Sequence, residues 1–257
     1  MCRGGSMIQN EKKNHILMLL RKLQTDRTLE KAEFVELIKN RALIEDELFQ
    51  ISKEIHVENF HRKVYVRGLI EISSYCGNDC YYCGIRRSNR NAKRYRLSAD
   101  EIYEQVRFGT KLGFKSFVLQ GGEDPGFSDK TLIEVIKEIK RINPQTAITL
   151  SVGEKSFETL KAYKEAGADR FLLRHETRNK EHYYKLHPSD MDQDFRLHML
   201  EDLKKLGFQT GSGIMVGSPH QTEENLAEDL LFLRKLNPEM IGIGPFVPAS
   251  GTPFENE

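Results

Sequence analysis

Apolar and polar positions along this chain follow two periods that change over at regular intervals. Over roughly the first sixty residues the period is helical. Leu17, Leu20 and Leu23 form one stripe, Phe34, Leu37 and Ile38 a second, and Leu48, Ile51 and Ile55 a third. Thr28 stands where a helix N-cap is expected ahead of the second stripe. Beyond residue 60, short apolar runs of strand character alternate with helical stretches. Strands are predicted at 64–72, 117–119, 147–151, 170–174, 210–215 and 240–245. The intervening helices carry their own punctuation. Ser98-Ala-Asp-Glu101 is a capping box, opening a helix with Ile102, Val106 and Leu112 inward and Gly113 as its stop. Leu132, Val135, Ile136 and Ile139 mark the next helix, ended by Asn143-Pro144. A third spans 157–166, with Gly167 past its end. A short helix near 180–186 and a longer one over 194–206 follow, the latter stopped by Gly207. The last, capped by Thr222, carries Leu226, Leu230, Leu233 and Leu236.

Strands alternating with helices predict an α/β fold, a parallel sheet with right-handed crossovers. The expected organisation is a helical preface over residues 1–60 and a TIM-type (βα) barrel core over 61–257. Six strand–helix units are visible and eight would close a barrel. Strands seven and eight are therefore expected to be missing, and the core is read as truncated at its C-terminal end.

Composition narrows the class. Lys and Arg number 39 and Asp and Glu 38, so charge alone proposes no nucleic acid and no anionic membrane as partner. No apolar run approaches the roughly 18 residues of a membrane span. Residues 1–7 lack the apolar core of a signal peptide, and Met7 is an alternative start. Four cysteines in a chain of 257 residues do not make a secreted disulfide scaffold. The expected location is the cytoplasm.

The cysteines carry the chemistry. Cys76, Cys80 and Cys83 follow the first predicted strand at Cys-x3-Cys-x2-Cys spacing, while Cys2 is too remote to join them. Three thiolates so placed can hold three irons of a 4Fe-4S cubane, leaving the fourth iron open, because such clusters normally take four thiolates. An open iron implies a small-molecule ligand, oxygen sensitivity and anaerobic chemistry. Structural zinc is the alternative, but zinc takes four closed ligands and the spacing supplies three. The other unusual residues also follow strands: Gly121-Gly122-Glu123, Thr149 and Ser151, Arg174 and Glu176, and Gly211 to Gly217. In parallel barrels the C-terminal strand ends carry function.

These residues match a family. Cys76-x3-Cys80-x2-Cys83, with Tyr82 before the last cysteine, resembles the radical S-adenosylmethionine (SAM) enzymes. Within their biotin-synthase-like group, 71–76, 83–89, 118–125, 166–177, 215–219 and 241–246 resemble the FeFe-hydrogenase maturases of the HydE type. The resemblance implies a 4Fe-4S cluster on the three cysteines, with SAM chelating the open iron and cleaved reductively to a 5′-deoxyadenosyl radical. It implies that Gly121, Gly122 and Glu123 meet the SAM amino group, that Glu176 hydrogen-bonds SAM and that Arg196 holds its carboxylate. Tyr82 and Ser151 join that cofactor set; Thr149 and Arg174 are expected in the substrate cavity, Arg174 on an anionic group. Met215 and Val216 are candidates for the adenine, and Arg86, Arg87 and Arg94 for a basic rim. No residue is assigned to catalysis beyond these. The implied partners are an organometallic or other small-molecule substrate, an electron donor such as a flavodoxin or ferredoxin, and other hydrogenase maturases. Two alternatives stand beside this reading, a methylornithine-synthase-like lysine mutase and an inactive, truncated iron–sulfur scaffold.

Overall fold

The computed structural model describes residues 4–257; Cys2 and the first residues of the leader lie outside the described residues. The chain divides into two compact units. One takes the chain up to Tyr65 together with Thr222–Arg234; the other takes Val66–Gln221 and Lys235–Glu257.

In the first unit the three apolar stripes become α1 (Gly4–Asp26), α2 (Lys31–Lys39) and α3 (Glu45–Phe60). Ile16, Leu20, Leu29, Phe34, Leu37 and Ile44 form its core. The helix α9 (Glu223–Leu236) adds Ala227, Leu230 and Leu231 to that core. Thr28 is not the cap of α2. Glu30 takes that place, its side chain and that of Glu33 satisfying each other's backbone amides, because the chain turns two residues later than the Thr signal suggests.

The second unit is a six-stranded, wholly parallel sheet with strands in sequential order. Its strands are β1 (Gly68–Ser73), β2 (Ser116–Gly121), β3 (Ala147–Ser151), β4 (Arg170–Leu172), β5 (Gln209–Val216) and β6 (Met240–Pro245). Each crossover supplies helix: α4 (Ala99–Lys111), α5 (Asp129–Ile142) and α6 (Phe157–Ala166), then α7 (Lys180–Leu186) and α8 (Gln193–Lys205). Ser98, Ser128, Ser156, Asn179 and Asp192 each accept a backbone N–H at the start of α4 to α8 in turn, satisfying amides that a helix N-terminus leaves free. Sequential order without reversal is the winding of a (βα) barrel, here an open arc from β1 to β6.

The first strand starts at Gly68, later than expected, and Val64, Tyr65 and Val66 are exposed. The fourth ends at Leu172, because the chain beyond it leaves the ladder to place Arg174 and Glu176. Leu112 is exposed rather than inward, lying past the last turn of α4.

The two faces of the sheet differ in chemistry. Register aligns Phe117 with Ile148 and Leu119 with Leu150 and Phe171 in turn, all fully or almost fully buried. Phe117 also fills the space beside Gly109 of α4, where a Cβ would meet its ring at 2.6 Å. That face is the core between sheet and helices. Side chains alternate across a strand, so the opposite face carries the rows Glu71–Gln120–Ser151 and Val118–Thr149–Arg170. Polar groups therefore line the face on which a barrel encloses its cavity.

Asp124, just after β2, locks the entrance. Its carboxylate accepts from Arg96 Nε at 2.6 Å and Nη2 at 2.7 Å, from Ser73 Oγ at 2.6 Å and from the Gly126 amide at 2.8 Å. Burial opposes its charge, but these donors outweigh burial and hold its pKa at about 2. A carboxylate whose pKa is depressed on folding contributes stability above its unfolded value of 3.8, and the contribution is lost as pH falls toward 2. Arg96 is partly exposed, which limits the contribution to about 1 kcal/mol. Asp124→Asn is expected to lower stability by about that amount at neutral pH, the gap from wild type closing between about pH 4 and pH 2. Urea denaturation across that range checks it; an equal gap at every pH would show that Asp124 does not act through its charge.

Candidate functional site

The predicted site residues gather where β1 to β5 end, and two residues not predicted, Glu154 and His187, join them. The loop after β1 carries Cys76, Cys80 and Cys83, all half-buried and unbridged. The Gly77 N–H donates to the Glu123 carbonyl at 2.8 Å, fastening that loop to the turn after β2. Gly122 makes the fastening possible. A Cβ there would meet the Tyr75 carbonyl oxygen and lie 2.6 Å from Cys76 Cβ, so only glycine admits the loop.

The rest of the loop is held by cations turned inward. Arg94 donates to the carbonyls of Ile85 (2.8 Å), Arg86 (2.6 Å) and Asn89 (3.2 Å) and to that of Ser74. Arg86 is buried against Asp79 at 2.7 Å. The expected basic rim is thus corrected for these two arginines, whose charges fold the cysteine loop; Arg87 is exposed.

From Glu123 a continuous line of contacts runs across the strand ends. Its Oε1 accepts the Glu154 N–H at 2.9 Å. Glu154 Oε1 lies 2.7 Å from Arg196 Nε, an ion pair by distance without the directionality of a hydrogen bond. Arg196 Nη1 donates to the Arg174 carbonyl at 2.9 Å, and Arg174 Nε donates to Glu176 Oε1 at 3.0 Å. Four predicted residues are joined in this way through Glu154. Burial raises the Glu154 pKa, Arg196 opposes that rise and Glu123 adds to it. Arg196 is itself buried on α8.

Glu176 is 6 % exposed and its φ is +65°, a conformation that is costly for a residue with a Cβ. Its amide donates to the Gly213 carbonyl at 3.2 Å, which holds the turn. Oε2 is buried with no protein partner. An unsatisfied buried carboxylate oxygen costs roughly 1–3 kcal/mol, so this atom is suited to a donor from a ligand. Thr149 is buried, its Oγ1 likewise without a partner; Ser151, two residues on, shares its face and is half-buried.

Tyr82 is fixed by a histidine the sequence did not single out. His187 Nδ1 lies 2.9 Å from the Tyr183 carbonyl, which can only accept, so Nε2 receives the Tyr82 hydroxyl at 3.1 Å. Burial, and then Arg196, push the His187 pKa down to about 3, so it stays neutral. Met215 joins a small apolar cluster with Leu186, Phe254 and Tyr82, whereas Val216 is exposed. A lone histidine gives no sequence signal. Glu154 had one: like Glu123 it follows a strand end, here after Gly153, whose φ is +76°.

These residues fit an iron–sulfur cluster and an amino-acid-bearing ligand. Burial pushes the Cys80 thiol up to about 12 and raises Cys76 and Cys83 as well. Such thiols ionise only beside strong positive charge, which bound metal provides. In a cubane each cysteine holds its own iron, and three cysteines leave the fourth open. Beside the cysteines lie a glycine cradle at Gly122, the unpartnered Glu176 oxygen and the Arg196 guanidinium, a set suited to ammonium and carboxylate groups.

Comparison with known proteins agrees. The chain is 45% identical over 235 residues to the [FeFe] hydrogenase maturase subunit HydE of Thermotoga maritima, covering 89% of this chain and 67% of that one. It is 29% identical to 3-methylornithine synthase of Methanosarcina acetivorans, covering 82% and 59%. The crystal structure of a methylornithine synthase superposes with a TM-score of 0.78 at 26% identity, covering 95% of this chain and 67% of that one. The chain thus spans about three fifths to two thirds of the length of these relatives. Residues 70–233, which hold the cysteine loop and the line of contacts from Glu123 through Glu154 and Arg196 to Glu176, match the Radical SAM superfamily, and the chain belongs to it.

Proposed function

We propose that this chain binds a 4Fe-4S cluster and SAM, cleaves SAM reductively, and acts in FeFe-hydrogenase maturation as HydE does. The observation that carries the reading is the Gly77–Glu123 hydrogen bond, which holds the cysteine loop directly on the Gly-Gly-Glu turn. Cluster and cofactor sites are thereby one structure. When bound, the reduced cluster supplies an electron that splits SAM into methionine and a 5′-deoxyadenosyl radical, chemistry the cofactors bring and the protein directs.

Each residue then has a task. Cys76, Cys80 and Cys83 hold three irons. Gly121 and Gly122 bring backbone close to the methionine end of SAM, and Glu123 offers its carboxylate to the ammonium. Arg196 binds the SAM carboxylate, as a rigid guanidinium fork can. Glu176 receives a SAM donor on Oε2, and Tyr82 and Ser151 border the same space. On the polar face of the sheet, Thr149 and Arg174 receive the substrate, Arg174 through an anionic group. The substrate class is a small organometallic complex, the electron donor a flavodoxin or ferredoxin, and the other partners hydrogenase maturases. The domain reading pairs a helical unit with this SAM-binding core, in the cytoplasm. Similarity to 3-methylornithine synthase supports a second reading, rearrangement of an amino acid at the same site, which the lower identity makes weaker.

After anaerobic reconstitution, the chain is expected to carry about four irons and, with SAM and dithionite, to release 5′-deoxyadenosine. Cys80→Ala should reduce release to background. Equal product from wild type and variant, or none from a wild type loaded with cluster, would overturn the proposal.

Gly122→Ala tests the coupling of the two sites. Its Cβ would push the Tyr75–Cys76 backbone off the turn, so iron content should fall several-fold while far-UV circular dichroism is unchanged. Full cluster loading in this variant would show that the loop does not depend on the turn.

A further inference from the structure

We propose that Glu154 is the positioning residue of the SAM site: its amide orients Glu123 and its carboxylate orients Arg196, so that one residue aligns both groups that meet the methionine end. This deepens the reading above and rests on it.

The geometry is specific to residue 154. Its N–H reaches Glu123 Oε1 at 2.9 Å, so the Glu123 carboxylate is aimed by backbone rather than by a mobile side chain. Gly153 brings that amide close. At φ +76° it turns the chain sharply, and a Cβ there would collide with the Glu123 side chain. The Glu154 carboxylate meets Arg196 Nε at 2.7 Å, while the Arg174 carbonyl takes Nη1 at 2.9 Å. The ion pair on one side and the hydrogen bond on the other hold the guanidinium between Glu154 and the Arg174 carbonyl. Arg196 and Glu154 are both largely buried, with side-chain exposures of 8% and 16%. A buried cation that loses its partner is left uncompensated, so removing Glu154 changes where the Arg196 charge rests.

The two arms of Glu154 separate experimentally. Any residue but proline keeps the amide, so Glu154→Ala removes only the hold on Arg196, and Glu154→Gln keeps shape without charge. The measurement is SAM affinity of the cluster-loaded protein by calorimetry, together with the SAM-induced change in the electron paramagnetic resonance spectrum of the reduced cluster. Glu154→Ala is expected to weaken binding about tenfold or more and to diminish the spectral change, with Glu154→Gln in between. In an Arg196→Ala background, Glu154→Ala should weaken binding no further, because it acts through that arginine. Iron content and circular dichroism of each variant identify any that misfold, and Glu154→Gln keeps the test open if Glu154→Ala does. Wild-type affinity in a folded Glu154→Ala protein would overturn the proposal, as would equal losses in both backgrounds. If the cluster-loaded wild type itself binds no SAM, the functional reading fails instead, which is a distinct outcome.

Discussion

A single backbone hydrogen bond, from the amide of Gly77 to the carbonyl of Glu123, sets the terms for the rest of the site. It forms only because Gly122 has no side chain, since a Cβ there would occupy the space of Tyr75 and Cys76. The consequence is steric as much as energetic. One neutral hydrogen bond is worth about 1 kcal/mol, too little to fix a loop of this length. The inward arginines supply the remainder. Arg94 ties several carbonyls of the returning chain, and Arg96, through Asp124, ties that chain to β1 and to the turn after β2. Basic residues that look like a solvated rim are thus the internal frame of the cysteine loop.

The sheet makes the same division between holding and binding. Its apolar face packs on crossover helices such as α4 and α8, and the opposite face presents Glu71, Gln120, Ser151, Thr149 and Arg170. An ordinary barrel interior is packed with branched apolar side chains. Here that face carries polar groups beside Leu69 and Val118, which suits a ligand more than a filled core. The same alternation explains why β4 is short. Past Leu172 the regular ladder ends and the chain keeps only isolated contacts with β5, Glu176 bridging Ile214 at a positive φ.

Much of this was legible in the chain. Strands β3 and β6 were bounded as the periodicity indicated, and Leu132, Val135, Ile136 and Ile139 are all buried as expected. Those signals are local, and local preferences survive folding when tertiary packing agrees with them. Thr28 failed because two capping signals lay two residues apart and Glu30 with Glu33 made the reciprocal pair. Leu112 failed because helical periodicity was extended past the end of α4. The cysteines, Gly122 and Glu176 were picked out by their places after strands, and the fold brings them together. His187 was not, because its role rests on Tyr82, more than a hundred residues earlier in the chain. Long-range partners leave no period.

Glu154 lies between these cases and shows what the site requires. Four residues picked from the sequence, Glu123, Arg174, Glu176 and Arg196, would be an assortment of charges without something to order them. Two are acids and two are bases, and paired at random they would satisfy one another and leave nothing for a ligand. In the fold, Glu154 takes the Nε end of Arg196 and a carbonyl takes Nη1, while Arg174 takes one oxygen of Glu176 and leaves the other unpartnered. Each charge is therefore partly satisfied within the protein. Each pairing is also incomplete, which is what a small zwitterionic ligand needs. Burial then raises the strength of whatever completes it. The balance between those two demands explains why a third carboxylate, Glu154, stands among these charges.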